Sequence, residues 1–173
     1  MECFLASCNC LIKKLMTLMT FQQQLLRQEI LEVFPKVDPP HSDNITSDDY
    51  GESLHVRLNF SGVSWWLAKN KLIDENYDKL PLLTSEAFHY YLPAFLLHSL
   101  EWFDPDNLTL EFTIYGLSPT KTSRDDPWFS ARLIRFTPYQ IHVVRKFLNC
   151  ILSDPVMYSF YKNAERGLNK FWT

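Results

Sequence analysis

Glycine is scarce in this sequence, with four in 173 residues, at positions 51, 62, 116 and 167. Phosphate-cradling loops and nucleophile elbows both need closely spaced glycines, so that backbone N–H groups or a strained serine can approach the ligand. Neither G-x-x-x-x-G-K nor G-x-S-x-G occurs, and H-E-x-x-H is missing too. The four cysteines, Cys3, Cys8, Cys10 and Cys150, include no C-x-x-C pair and have no accompanying histidine cluster, which argues against a structural zinc site. Free thiols fit a reducing cytoplasm. No cofactor and no metal is expected. No apolar run approaches the roughly 20 residues of a membrane helix. The net charge of −3 supplies no basic footprint for nucleic acid over the whole chain.

Apolar material is plentiful: hydrophobic residues make up 46% and aromatics 15%, too much for disorder, so a folded chain is expected. Its charge is segregated. Through Ser123 there are 9 Lys/Arg against 16 Asp/Glu (−7), and from Arg124 onward 8 against 4 (+4). Residues 1–18 are apolar, but Glu2 comes first and Lys13 and Lys14 interrupt the stretch, unlike a secretory signal. They are expected to be a poorly structured extension before a single helix-rich domain over 19–173.

The spacing predicts a helix from Thr20, where Thr20 and Gln23 form a capping box, with Phe21, Leu25, Ile30 and Val33 or Phe34 facing a core and Pro35 ending it. Residues 35–49, with three prolines and four aspartates, read as a loop. Over 50–60 the pattern fits strand and helix alike, with Ser47 as a candidate cap. HYYLPAFLLHSL (89–100) is apolar on all sides, which predicts a buried central helix kinked at Pro93. Leu108, Leu110, Phe112 and Ile114 alternate with polar or aromatic neighbours as in a half-buried strand, and Trp128–Phe136 is a second extended candidate. Together they predict a small antiparallel β-hairpin. Thr137, Pro138 and Gln140 mark the start of an amphipathic helix, and Asp154-Pro155 the start of another. The expected fold is therefore α+β and helix-dominated.

LTSEAFHYYLPAFLLHSL, together with Trp128, Arg132 and the Phe136–Leu148 helix start, resembles a bacterial domain family of unknown function with an LTxEAFxYYLPAFL-type motif. The resemblance covers about residues 50–150. It implies a small helix-rich bacterial domain and carries no activity and no functional residues.

His89 and His98 are nine residues apart, which puts them on opposite faces of a helix and prevents a shared metal. His142, Arg145, Lys146 and Asn149 form the polar stripe of the 138–152 helix. They would either be solvated or meet an acidic partner, with charge reversal leaving the fold intact. Trp65 and Trp66 cannot both face one core easily, so one ring is a candidate partner contact. These readings favour a non-enzymatic cytoplasmic interaction protein, immunity-like or regulatory, with Trp65, Trp66, His142, Arg145 and Lys146 as binding candidates and a protein as partner. The alternative is a small hydrolase or transferase with a dispersed site near His89, Tyr91 and Arg132.

Overall fold

The structure, a computed structural model, describes residues 19–119 and 126–173. The expected extension over 1–18 lies outside the described residues. Helix α1 (Phe21–Val33) opens on the predicted capping box: Gln23 N donates to Thr20 Oγ1 at 3.2 Å, and Thr20 N donates to Gln23 Oε1 at 2.8 Å. Its buried stripe matches the predicted one at Ile30 and Phe34 but not in its first turns. Leu26, Ile30 and Phe34 follow one another at i, i+4, i+8 into the core, while Phe21 and Leu25 stay in solvent. The ambiguous segment after the proline-rich loop is helical, as α2 (Gly51–Phe60), with Ser53, Val56 and Phe60 buried. Tyr50 takes the cap position without a side-chain bond, so Ser47 does not cap it. Short 3-10 turns (Trp65–Leu67 and Leu80–Leu82) and α3 (Asn70–Glu75) lead to the central helix.

That helix, α4 (Ser85–Glu101), runs through Pro93 without interruption. Thr84 Oγ1 accepts from Ala87 N at 3.1 Å to cap it, and Glu86 lies in the first turn, where the helix dipole favours a negative charge. From Ala87 to Leu100 only His89 and Leu97 are partly exposed, as a helix apolar on every side requires. Each fully buried Phe or Leu here contributes roughly 1.5–3 kcal/mol. The hydroxyls reach backbone acceptors, Tyr90 the carbonyl of Val37 at 2.8 Å and Tyr91 that of Phe60 at 2.7 Å, so the aromatic wrap leaves no phenol stranded.

The predicted β-hairpin does not form. Among the described residues there is no strand, only one isolated antiparallel bridge between Thr46 and Leu83, so the fold is all-α rather than α+β. Residues Leu108–Leu117 form α5, capped by Asn107, whose Oδ1 accepts from Thr109 N at 2.9 Å. Its buried set, Thr109, Leu110, Thr113, Ile114, Gly116 and Leu117, has helical spacing. The alternation of Leu108 to Ile114 misled because the two threonines, polar in a strand pattern, are buried against other helices: Thr109 Oγ1 donates to Asp74 Oδ1 of α3 at 3.4 Å, and Thr113 Oγ1 accepts from Ser99 Oγ of α4 at 3.4 Å. Gly116 lets α5 approach Leu80: a Cβ there would lie 3.3 Å from Leu80 Cδ1. The second extended candidate is α6 (Pro127–Leu133), with Asp126 Oδ1 accepting from Trp128 N at 2.9 Å and Pro127 at the first helical position.

Helix α7 (Pro138–Ser153) begins on the predicted Thr137/Gln140 capping box and buries Val143, Val144, Phe147, Leu148 and Ile151 against α1 and the C-terminal segment. Asp154 caps the next element as expected, but this begins as a 3-10 helix (Pro155–Phe160) before α8 (Tyr161–Arg166) and a π-helical turn (Gly167–Phe171). Trp172 closes the core, with Nε1 donating to the Leu117 carbonyl at 2.7 Å.

Candidate functional site

The C-terminal end of α4 opens into a cleft of about 820 Å³. WFDPDN (102–107) builds its rim. Asp104 N and Asn107 Nδ2 donate to the Trp102 carbonyl at 3.0 and 2.6 Å, and Asp106 N donates to Asp104 Oδ1 at 2.9 Å, so the chain folds back tightly into α5. This turn leaves Glu101, Trp102, Asp104 and Asp106 exposed around the opening. Asp74 of α3 and Asp154 after α7 complete the acidic lining, which includes no lysine or arginine. Asp154 keeps its capping role, accepting from Val156 N through Oδ1 at 3.0 Å. Each of the bonds to Asp104 and Asp154 uses one carboxylate oxygen.

His98, 4% exposed, is part of the cleft wall. Its Nε2 lies 2.9 Å from Asp74 Oδ1, close enough for an ion pair but off the ring N–H direction of an aligned hydrogen bond, and its Nδ1 has no partner. Asp74 Oδ1 also accepts from Thr109 Oγ1 at 3.4 Å, which ties α3 to α5 at the same point. Among the described residues no group of three or more His, Cys, Asp and Glu is arranged to hold a metal ion. The carboxylates surround a space rather than converge on one point. Such a lining attracts an extended cationic group and repels anions.

The residues singled out from sequence lie elsewhere. Trp65 is buried, with Nε1 donating to the Pro35 carbonyl at 3.1 Å, and half-buried Trp66 meets it edge-on with centroids 5.8 Å apart. On α7 only His142 and Asn149 of the polar stripe are exposed. Arg145 is half-buried and donates through Nη1 to the Trp172 carbonyl. Lys146 pairs with both oxygens of Glu29 on α1 at 2.6 and 2.8 Å. The stripe thus fastens α7 to its neighbours, a use that helical spacing on one element cannot reveal.

The dispersed trio is also engaged internally. His89 Nε2 is 3.0 Å from Gln140 Oε1, the same oxygen that accepts from Thr137 N in the α7 capping box, so Nε2 carries the proton. Burial pushes the His89 pKa down, with the Gln140 bond opposing and nearby Arg135 adding to the fall. Burial likewise raises the Tyr91 phenol. Arg132, 1% exposed, lies between Trp128 and Phe88, its guanidinium carbon 3.6 and 4.4 Å from the ring centroids, and Nη2 donates to the carbonyls of Leu80, Pro81 and Leu83. Burial lowers its pKa to about 9. His98 entered the sequence reading only as unable to share a metal with His89, and the rim carboxylates did not stand out at all. The aromatic pair followed by two aspartates in WFDPDN, directly after a helix apolar on all sides, is the one local signal that marks them.

No helix among the described residues is long and apolar enough to cross a membrane. The chain belongs to a family of unknown function, DUF6714, whose model matches residues 26–173. No curated protein and no solved structure matches it. The match reaches further toward both ends than the motif-bearing stretch over 50–150, and takes in the second half of α1 and the C-terminal helices that complete the core.

Proposed function

We propose that this chain is a non-enzymatic cytoplasmic interaction protein that meets a basic protein partner through the acidic cleft at the end of α4. The reading rests on one observation: carboxylates from α3, from the α4–α5 turn and from the end of α7 surround a single opening with no cation among its lining residues, beside a buried histidine whose Nδ1 has no partner. Like charges held together this way repel one another, and a basic partner relieves that repulsion. Complementary charge also speeds the encounter and makes it salt-dependent. The acidic excess of the first 123 residues points the same way. The enzymatic alternative draws little support from His89, Tyr91 and Arg132, because His89 Nε2, the Tyr91 hydroxyl and Arg132 Nη2 are engaged inward with Gln140, the Phe60 carbonyl and the 80–83 carbonyls.

The test uses a mixed lysine–arginine hexapeptide, titrated into the full chain by calorimetry at low and high salt. The comparison protein carries Glu101→Gln, Asp104→Asn and Asp106→Asn, in which the Asp104 amide keeps an Oδ1 acceptor for the turn. The expected result is salt-sensitive binding to the native chain and at least about tenfold weaker binding to the triple variant, the loss of three charge pairs at a partly exposed site. Equal affinity for the two proteins, or no binding to either, removes the cleft from consideration.

A further inference from the structure

Building on the basic-partner reading, we infer that the cleft recognises arginine in particular, taking a guanidinium side chain from an extended peptide segment. The polar side chains that the inference draws on are acceptors. Asp74, Glu101, Asp104 and Asp106 offer carboxylate oxygens. His98, 4% exposed in the cleft wall, lies with Nε2 2.9 Å from Asp74 Oδ1 and has neither ring nitrogen in an aligned hydrogen bond. Buried polar groups in folded proteins are normally hydrogen-bonded, so this wall is short of a partner.

Two features favour guanidinium over ammonium. Trp102 is 51% exposed and lines the rim together with the carboxylates. A planar, weakly hydrated guanidinium stacks on an aromatic face while its five N–H donors fan out in plane toward several carboxylates, whereas an ammonium is compact, strongly hydrated and satisfied by fewer partners. The carboxylates are also spread around the opening rather than gathered to a metal-like point, which suits a charge delocalised over a plane. The same chain already holds a guanidinium against indole in this way, with Arg132 3.6 Å from the Trp128 ring centroid. At about 820 Å³ the cleft exceeds one side chain, so the occupant is a stretch of peptide with arginine as its anchor.

The experiment titrates N-acetyl-triarginine amide and N-acetyl-trilysine amide into the full chain by calorimetry at matched ionic strength. The expected result is triarginine binding about two- to fivefold tighter than trilysine, the size of one stacking contact at an exposed aromatic. Trp102→Leu should remove that preference while leaving trilysine binding in place. Equal affinities of the native chain for the two peptides would overturn the arginine inference and leave the basic-partner reading standing. Failure of both peptides to bind would overturn that reading as well. The comparison on the native chain needs no variant to fold, so it decides the matter even if Trp102→Leu is unstable.

Discussion

Replacing Arg132 by methionine probes the least ordinary contact in the core. The side chain is 1% exposed, Nε and Nη1 have no partner, and the acceptors it does reach are backbone carbonyls at 2.7 Å (Leu83), 3.0 Å (Pro81) and 3.4 Å (Leu80). With its pKa lowered to about 9 it is still a cation at pH 7. Methionine keeps much of the apolar stem and relieves the desolvation of that charge, which costs several kcal/mol on its own. Against this, the Leu80 carbonyl retains the Leu83 amide at 3.3 Å, so the loss falls mainly on Pro81 and Leu83, at roughly 1–3 kcal/mol for each buried acceptor left unmatched. Stacking between Phe88 and Trp128 is lost as well, at about 1–2 kcal/mol. The net expectation is a destabilisation of about 2–4 kcal/mol, or roughly 5–15 °C in Tm for a chain of this size. Arg132→Lys should be no better than methionine, because an ammonium keeps the desolvation cost and gives up the planar stacking. Urea denaturation at pH 7 followed by tryptophan fluorescence measures both. A methionine variant within about 1 kcal/mol of the native chain, or a lysine variant as stable as arginine, would refute the view that Arg132 organises the 80–83 turn.

Three further outcomes follow from the same contacts. Because burial lowers the His89 pKa, the unfolded chain takes up a proton near pH 6.5 that the folded chain resists. Stability should therefore decline as pH falls from about 7 through the unfolded value and level off below the depressed folded one; urea midpoints at pH 7.5 and 5.5 should show a smaller drop for His89→Gln. Reversing Arg145 and Lys146 together to glutamate sets Lys146→Glu against Glu29 and strips the Trp172 carbonyl of its donor, so thermal melting should report a loss of about 1–3 kcal/mol, not the near-neutral result that a solvated stripe would give. A chain beginning at Met19 retains the Thr20 cap and all of α1, and its Tm should stay within a few degrees of the full chain; a fall of more than about 5 °C would mean that residues 1–18 pack on the domain.

The sequence by itself determined what local chemistry determines. Capping boxes at Thr20 and Thr137, the Asp154 cap before Pro155, and the burial of residues 89–100 in one helix each depend on neighbours within a turn or two, and the structure has all four. Tertiary packing decided the rest. Leu108–Leu117 carries two overlapping periods, and the helical one prevails because Thr109 Oγ1 donates to Asp74 and Thr113 Oγ1 accepts from Ser99, contacts that no window of the α5 sequence contains. In α1 the spacing of Phe21 and Leu25 is as helical as that of Leu26 and Ile30, and only the position of α4 and α7 selects which stripe is covered. Arg145 and Lys146 present charges that read as solvated until Trp172 and Glu29, distant in the chain, come within reach. The candidate site is the extreme case. Asp74, His98, Asp106 and Asp154 each have an ordinary local role or none, and they become one acidic cleft only where the ends of α3, α4 and α7 meet, because a charge acts through space on whatever folding brings near it.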